Sequence, residues 1–508
     1  MKVPEFFYNA YYLTKEDLLS FEKFLDTPFF NPMDSQLTVY RIIKKNYDYI
    51  LLQNYDELKS LILKKTDYTE NTLRKILSYL NDNYIKFTKI QAVMTEQFSD
   101  EYFYCDYMLK KGNYRLVNSR IGELDKTLLN PANHDNDYFI KMFKKDVLKY
   151  DVICTTEDKF NVKSKIYKQK HYTLESTKNL TVYTLAKTTI NLVNYVFQST
   201  DIEEYNNGFF PIDLDNIFRF MGTPKYQMFN KHQKQTINLY YKVYLLFSNP
   251  LIDAHYYDYK DYYNNIKQEY NLNFKKTHHS ILMNYCFLRQ RVSDKDGIFI
   301  KEALKSLYEY IKNRYYVTQK TEYLHPINYR NFVVYCLNAN DKNLLLKFIR
   351  QHTDKLHPKE IMSMKVYGMA QYYYLNGEYE LSIVNAELLN NAKSHYKYDI
   401  LNLLIKANYE LENFERIREL LHNYKGFIKK DVLLTNTDKT RYNLFVSNMS
   451  SLLNNHNNYL ATNNIFDYEY LLKQIEGNTY FSLKNWITER INNVISTHHK
   501  KYTKNKHK

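Results

Sequence analysis

Three apolar anchors, Leu344, Tyr379 and Phe414, recur 35 residues apart. Each follows a polar turn: Asn340-Asp341-Lys342-Asn343 before Leu344, Asn376-Gly377-Glu378 before Tyr379, and Glu412-Asn413 before Phe414. An apolar helical run precedes each turn (Tyr329 to Leu337, Val366 to Leu375, Leu401 to Leu411). Another follows, with stripes Leu344-Leu345-Phe348-Ile349, Leu381-Val384-Leu388 and Phe414-Ile417-Leu421. A fixed period in this range predicts stacked supersecondary units, because one helix pair cannot bury its apolar face without a neighbour.

Nine glycines and nine prolines in 508 residues are too few for the turns and bulges of a large β or α/β fold. The scarcity predicts an all-α chain of long helices joined by short polar loops. Its length exceeds what one hydrophobic core supports, so several domains or a repeat array are expected.

The middle unit resembles a tetratricopeptide repeat (TPR). Ala370 stands where that family has a small residue in the first helix, and Tyr373 at its aromatic position. Gly377 and Tyr379 match its turn and the start of its second helix. Ser382 departs from the usual alanine, no proline closes the unit, and Glu412 takes the glycine position of the third. Gly112-Asn113-Tyr114 and the helices flanking Ser293 to Gly297 look like degenerate relatives. The resemblance implies a right-handed α-solenoid of stacked antiparallel helix pairs and, usually, protein–protein binding. More loosely, the layout is similar to uncharacterised bacterial helical-repeat proteins, which implies no function. Leu344, Ala370, Tyr373, Gly377, Tyr379, Phe414 and Trp486 are the expected repeat-packing residues.

The remaining pattern divides the chain. Residues 1–95 read as an N-terminal helical unit. Thr14 with Asp17 caps a first helix, Pro28 and Pro32 end it, Tyr55 to Lys65 forms a third, and Thr69 caps a stripe from Leu73 to Phe87. Residues 96–320 read as a degenerate helix-pair array, with a seam near 205–225 where Gly208, Pro211, Gly222 and Pro224 cluster. Residues 321–430 hold the TPR-like units, and 431–496 the C-terminal capping helices, with Leu483, Trp486, Ile487, Ile491 and Val494 as one stripe. Residues 497–508 are expected to be a disordered basic tail. The N-terminal stretch lacks the pattern of a signal peptide and no segment is long and apolar enough to cross a membrane, so a cytoplasmic location is expected.

Catalytic and cofactor motifs are missing. The glycines are too sparse for a phosphate-cradling loop or a nucleophile elbow. Asp294-Lys295-Asp296-Gly297 lacks both end ligands of a calcium loop. His278 and His279 diverge on a helix and read as surface or cap residues. Cys105, Cys154, Cys286 and Cys336 lie apart among apolar neighbours, the pattern of buried reduced thiols. No catalytic, metal or cofactor residue is assigned.

Binding is the remaining expectation. A cluster of Tyr256, Tyr257, Tyr259, Tyr262 and Tyr263 suits a protein interface, since tyrosine joins an apolar ring to a wet tip. The first expectation is therefore a non-enzymatic scaffold that grips an unknown protein segment. The alternative is nucleic-acid binding. Arg74 and Lys75 would face a groove from a helix-turn-helix-like pair. Lys159, Lys163, Lys165, Lys168 and Lys170 would line a loop interleaved with aromatic rings, running to His171. The net charge of +15 favours weak contact with polyanions in either case. A dispersed enzyme site is the third and least favoured.

Overall fold

The computed structural model describes residues 4–27, 30, 33–155, 162–198, 214–292, 297–317, 322–389, 396–432, 434, 436–477 and 483–506. Every regular element among them is helical, and neighbouring helices pack in pairs along the chain. The one β-type contact among these residues is an isolated bridge between Leu324 and Leu356.

Local chemistry sets the helix ends. Thr14 and Asp17 form a reciprocal capping box at the helix Lys15–Leu25. Thr69 accepts from the Thr72 amide at 3.2 Å and starts Glu70–Met94. Asn113 does the same for Tyr114–Leu129, and Asp341 for Lys342–His352.

The chain forms two compact units. The first comprises residues 1–185, 231–233 and 269–271. One of its cores joins Phe6, Phe21, Tyr40, Ile62, Leu80 and Phe87 from the first helices. Another joins Phe98, Cys105, Val117, Leu124, Leu148 and Val152 from Gln97–Lys110, Tyr114–Leu129 and Tyr138–Thr155.

The second unit comprises residues 186–230, 234–268 and 272–508. It holds the periodic segment as six consecutive helices: Pro326–Asn338, Lys342–His352, Pro358–Asn376, Tyr379–Glu387, Lys397–Glu410 and Phe414–Lys430. The first helix of each pair also touches the first helix of the next. One residue with positive φ precedes the start of each second helix: Asn340 at 54°, Gly377 at 83° and Glu412 at 59°. Gly112, at 77°, plays this part before Tyr114–Leu129 in the first unit. The turn geometry therefore recurs although only two of the four residues are glycine. Tyr379 and Phe414 open their helices, whereas Leu344 is the third residue of its own, so the helix starts are offset by two residues from the anchor spacing.

Two expectations change here. Residues 162 onward belong to the helix Val162–Gln198, so the basic stretch is a helix rather than a loop from Val162. Its Lys and Gln content favours helix, which outweighs its polarity. The expected basic tail is helical as far as Lys506, because Lys484–Lys506 runs into it, and residues 507–508 lie outside the described residues. Gly208, Pro211 and the Ser293–Asp296 turn lie outside the described residues.

Candidate protein-binding surface

The expected tyrosine surface is mostly core. On the helix Asp253–Ile266, Tyr256, Tyr259 and Tyr263 are fully buried, Tyr262 is half-buried and only Tyr257 is exposed. Each buried hydroxyl has a partner. Tyr256 donates to Glu302 at 3.1 Å, Tyr263 donates to the Lys275 carbonyl at 3.3 Å, and Tyr259 meets His278 Nδ1 at 2.8 Å. Burial pushes all three phenols far above their ordinary range. A buried ring with a satisfied hydroxyl is a packing residue and offers nothing to a partner.

His278 and His279 are likewise buried, not surface or cap residues. His278 stacks among Tyr240, Tyr263 and Phe274, and burial pulls it down to about 3. His279 lies against Tyr263 and Tyr315; burial, then the nearby Lys267 charge, lowers it to about 4. Neither ring nitrogen of His279 has a hydrogen-bond partner. Cys105, Cys286 and Cys336 are buried as expected, but Cys154 is exposed.

The nucleic-acid candidates are on the surface. Arg74 and Lys75 are exposed on Glu70–Met94, and Lys163, Lys168 and Lys170 on Val162–Gln198. Lys165 is half-buried and donates to the Cys154 carbonyl at 3.2 Å. Glu70, one turn before Arg74 on the same helix, pairs with Lys59 at 3.0 Å. Lys159 lies outside the described residues.

The periodic helices carry a long-range polar network. Arg330 makes a two-pronged contact with Asp399, 2.5 and 2.8 Å, and Tyr367 donates to the same carboxylate at 3.1 Å. The first helices of all three pairs are thus tied at one point. Further along, the Trp486 indole donates to Tyr374 at 3.0 Å, and Arg490 donates to Glu410 at 2.8 Å. Lys406 sits 4.2 Å over the Tyr374 ring. Burial, reinforced by Arg490, lowers its ammonium to about 8. Trp486 therefore reaches the middle pair as well as the third, where its ring meets Tyr409 edge-on at 5.3 Å.

Of the expected repeat-packing residues, Trp486 belongs to this network. Ala370 is fully buried, Leu344, Tyr373, Tyr379 and Phe414 are half-buried, and Gly377 makes the turn. The sequence also named Leu381, Val384 and Leu388 as a packing stripe; all three are exposed. Beside the stack, Leu304, Tyr308, Ala339 and Leu344 line a cavity of about 360 Å³ together with Lys301, Lys305 and Asp341. Among the described residues no group of three or more His, Cys, Asp or Glu is placed to hold a metal ion, and no helix is long and apolar enough to cross a membrane. The Arg330–Asp399 tie was invisible in the sequence, because nothing local marks two charges 69 residues apart as partners. Comparison with protein-family models, with curated proteins and with solved structures gives no match.

Proposed function

We propose that this protein is a non-enzymatic scaffold whose stacked helix pairs, arranged as a TPR-like right-handed solenoid of antiparallel helices, hold a segment of another protein. The supporting observation is the run of three consecutive helix pairs between Pro326 and Lys430 whose first helices also pack on one another. Such a stack presents a continuous surface that no single pair could offer. The tie of Arg330 and Tyr367 to Asp399 fixes that surface before binding, which lowers the ordering cost of association.

The test is an affinity capture with the tagged full chain from its native lysate, with and without nuclease. A defined protein retained through nuclease and moderate salt supports the scaffold. Recovery of nucleic acid, with proteins lost on digestion, replaces it by the nucleic-acid reading and directs mutation to Arg74, Lys75, Lys163, Lys168 and Lys170.

A further inference from the structure

The second helices of the three pairs differ in what they turn outward. Lys342–His352 buries Leu345, Phe348 and Ile349, and Phe414–Lys430 buries Ile417, Leu420 and Leu421. The middle helix, Tyr379–Glu387, is inverted. Its fully buried residues are two small ones, Ser382 and Ala386, while the larger Tyr379 and Ile383 are half-buried. Ser382 donates to the Ala370 carbonyl at 2.9 Å, a close approach that a larger residue would block. Three large residues point away: Leu381 is 45% exposed, Val384 57% and Leu388, at the helix C-cap, 69%.

Single exposed apolar residues are ordinary. These three are spaced as successive turns of one helix face, so they form a stripe. Contiguous apolar stripes rimmed by polar groups mark interaction sites. The rim here is acidic. Glu380 and Glu387 are exposed, and the helix contains no Lys or Arg. Arg416 lies 3.4 Å from Glu387 with both side chains about half exposed, which is a weak pair. A negative rim stands out in a chain of net charge +15.

We infer that the Leu381–Val384–Leu388 stripe is the docking site for a basic amphipathic helix of a partner protein. The partner places apolar side chains at helical spacing on the stripe and Lys or Arg against Glu380 and Glu387. This is the helix-on-apolar-face mode of recognition. Electrostatic complementarity sets its orientation and rejects acidic helices. The inference rests on the scaffold reading and names the class of partner.

The experiment uses the full chain and two fluorescein-labelled synthetic helices, one of leucine and lysine, the other of leucine and glutamate, read by anisotropy. The wild-type chain binds the leucine–lysine helix and not its glutamate counterpart. Val384→Lys with Leu388→Lys weakens that binding by about tenfold or more, as loss of a central apolar anchor does. Glu380→Lys with Glu387→Lys shifts the preference toward the glutamate helix. These positions are exposed, and Val384→Ser with Leu388→Ser repeats the first arm should the lysine variant fail to fold. Failure to bind either helix, equal affinity for both, or binding unchanged by the stripe variants overturns the inference. A lysate partner still captured by the stripe variant leaves the scaffold standing and removes this site from it.

Discussion

The indole of Trp486 donates a 3.0 Å hydrogen bond to the hydroxyl of Tyr374, 112 residues earlier in the chain. Arg490, one turn further along the same helix, lies over the indole ring and reaches Glu410. The last helix is thereby fastened to the middle and third pairs, so it does more than cap the end of the array. Trp486→Ala removes a half-buried ring and the hydrogen bond, with an expected cost of about 2 kcal/mol. Tyr374→Phe keeps the ring but deprives the indole of its acceptor, at about 1 kcal/mol. Urea unfolding followed by circular dichroism checks both. Because Trp486 is the sole tryptophan, its fluorescence reports the Tyr374 variant directly.

The Asp399 carboxylate satisfies Arg330 and Tyr367 together. Asp399→Ala leaves a guanidinium and a phenol without their partner, and the expected loss is about 3 kcal/mol. Asp399→Asn, which keeps the shape and one acceptor, costs less. Thermal unfolding of the pair of variants separates the charge from the packing.

Burial holds His278, His279 and His352 neutral, at about 3, 4 and 4 against an ordinary 6.5. As pH falls below 6.5, the unfolded chain takes up protons that the folded chain refuses. Stability is therefore full above 6.5 and declines from there toward about 4, by about 1.4 kcal/mol per pH unit for each histidine. His279→Phe suits the aromatic surroundings of Tyr263 and Tyr315 and removes one such contribution. Relative to wild type, that variant is expected to gain about 2 kcal/mol on going from pH 7.5 to pH 5. Urea unfolding across that pH range reads it.

Two backbone positions predict opposite signs. Glu412 is held at a φ of 59°, where only glycine is at ease, so Glu412→Gly is expected to stabilise by up to about 1 kcal/mol. Gly368 faces the other way. A Cβ there would lie 3.0 Å from Ile349 and from the Tyr329 hydroxyl, so Gly368→Ala is expected to cost about 1–2 kcal/mol by overpacking. Melting temperatures of the two variants test both.

Features of the fold with local causes were legible in the sequence. Thr14 and Thr69 cap the helices that their positions announced, because a hydroxyl can meet the amide three residues on. The glycine scarcity pointed to helices. The tyrosine cluster misled because abundance was read in place of spacing: Tyr256, Tyr259 and Tyr263 lie three and four residues apart, a buried helical face. The stripe at Leu381 misled in the opposite sense. Its spacing matches a packing face, but Ser382 and Ala386, the small residues beside it, are what the stack accepts. Which face of an amphipathic helix turns inward depends on the depth of the neighbouring groove, and that is a tertiary property.

The most direct test of the scaffold is hydrogen–deuterium exchange on the full chain, alone and with its captured protein partner. Protection gained within residues 326–430 is the predicted result, strongest on Tyr379–Glu387. Protection confined to Glu70–Met94 and the helix beginning at Val162, or no change between 326 and 430, would contradict it.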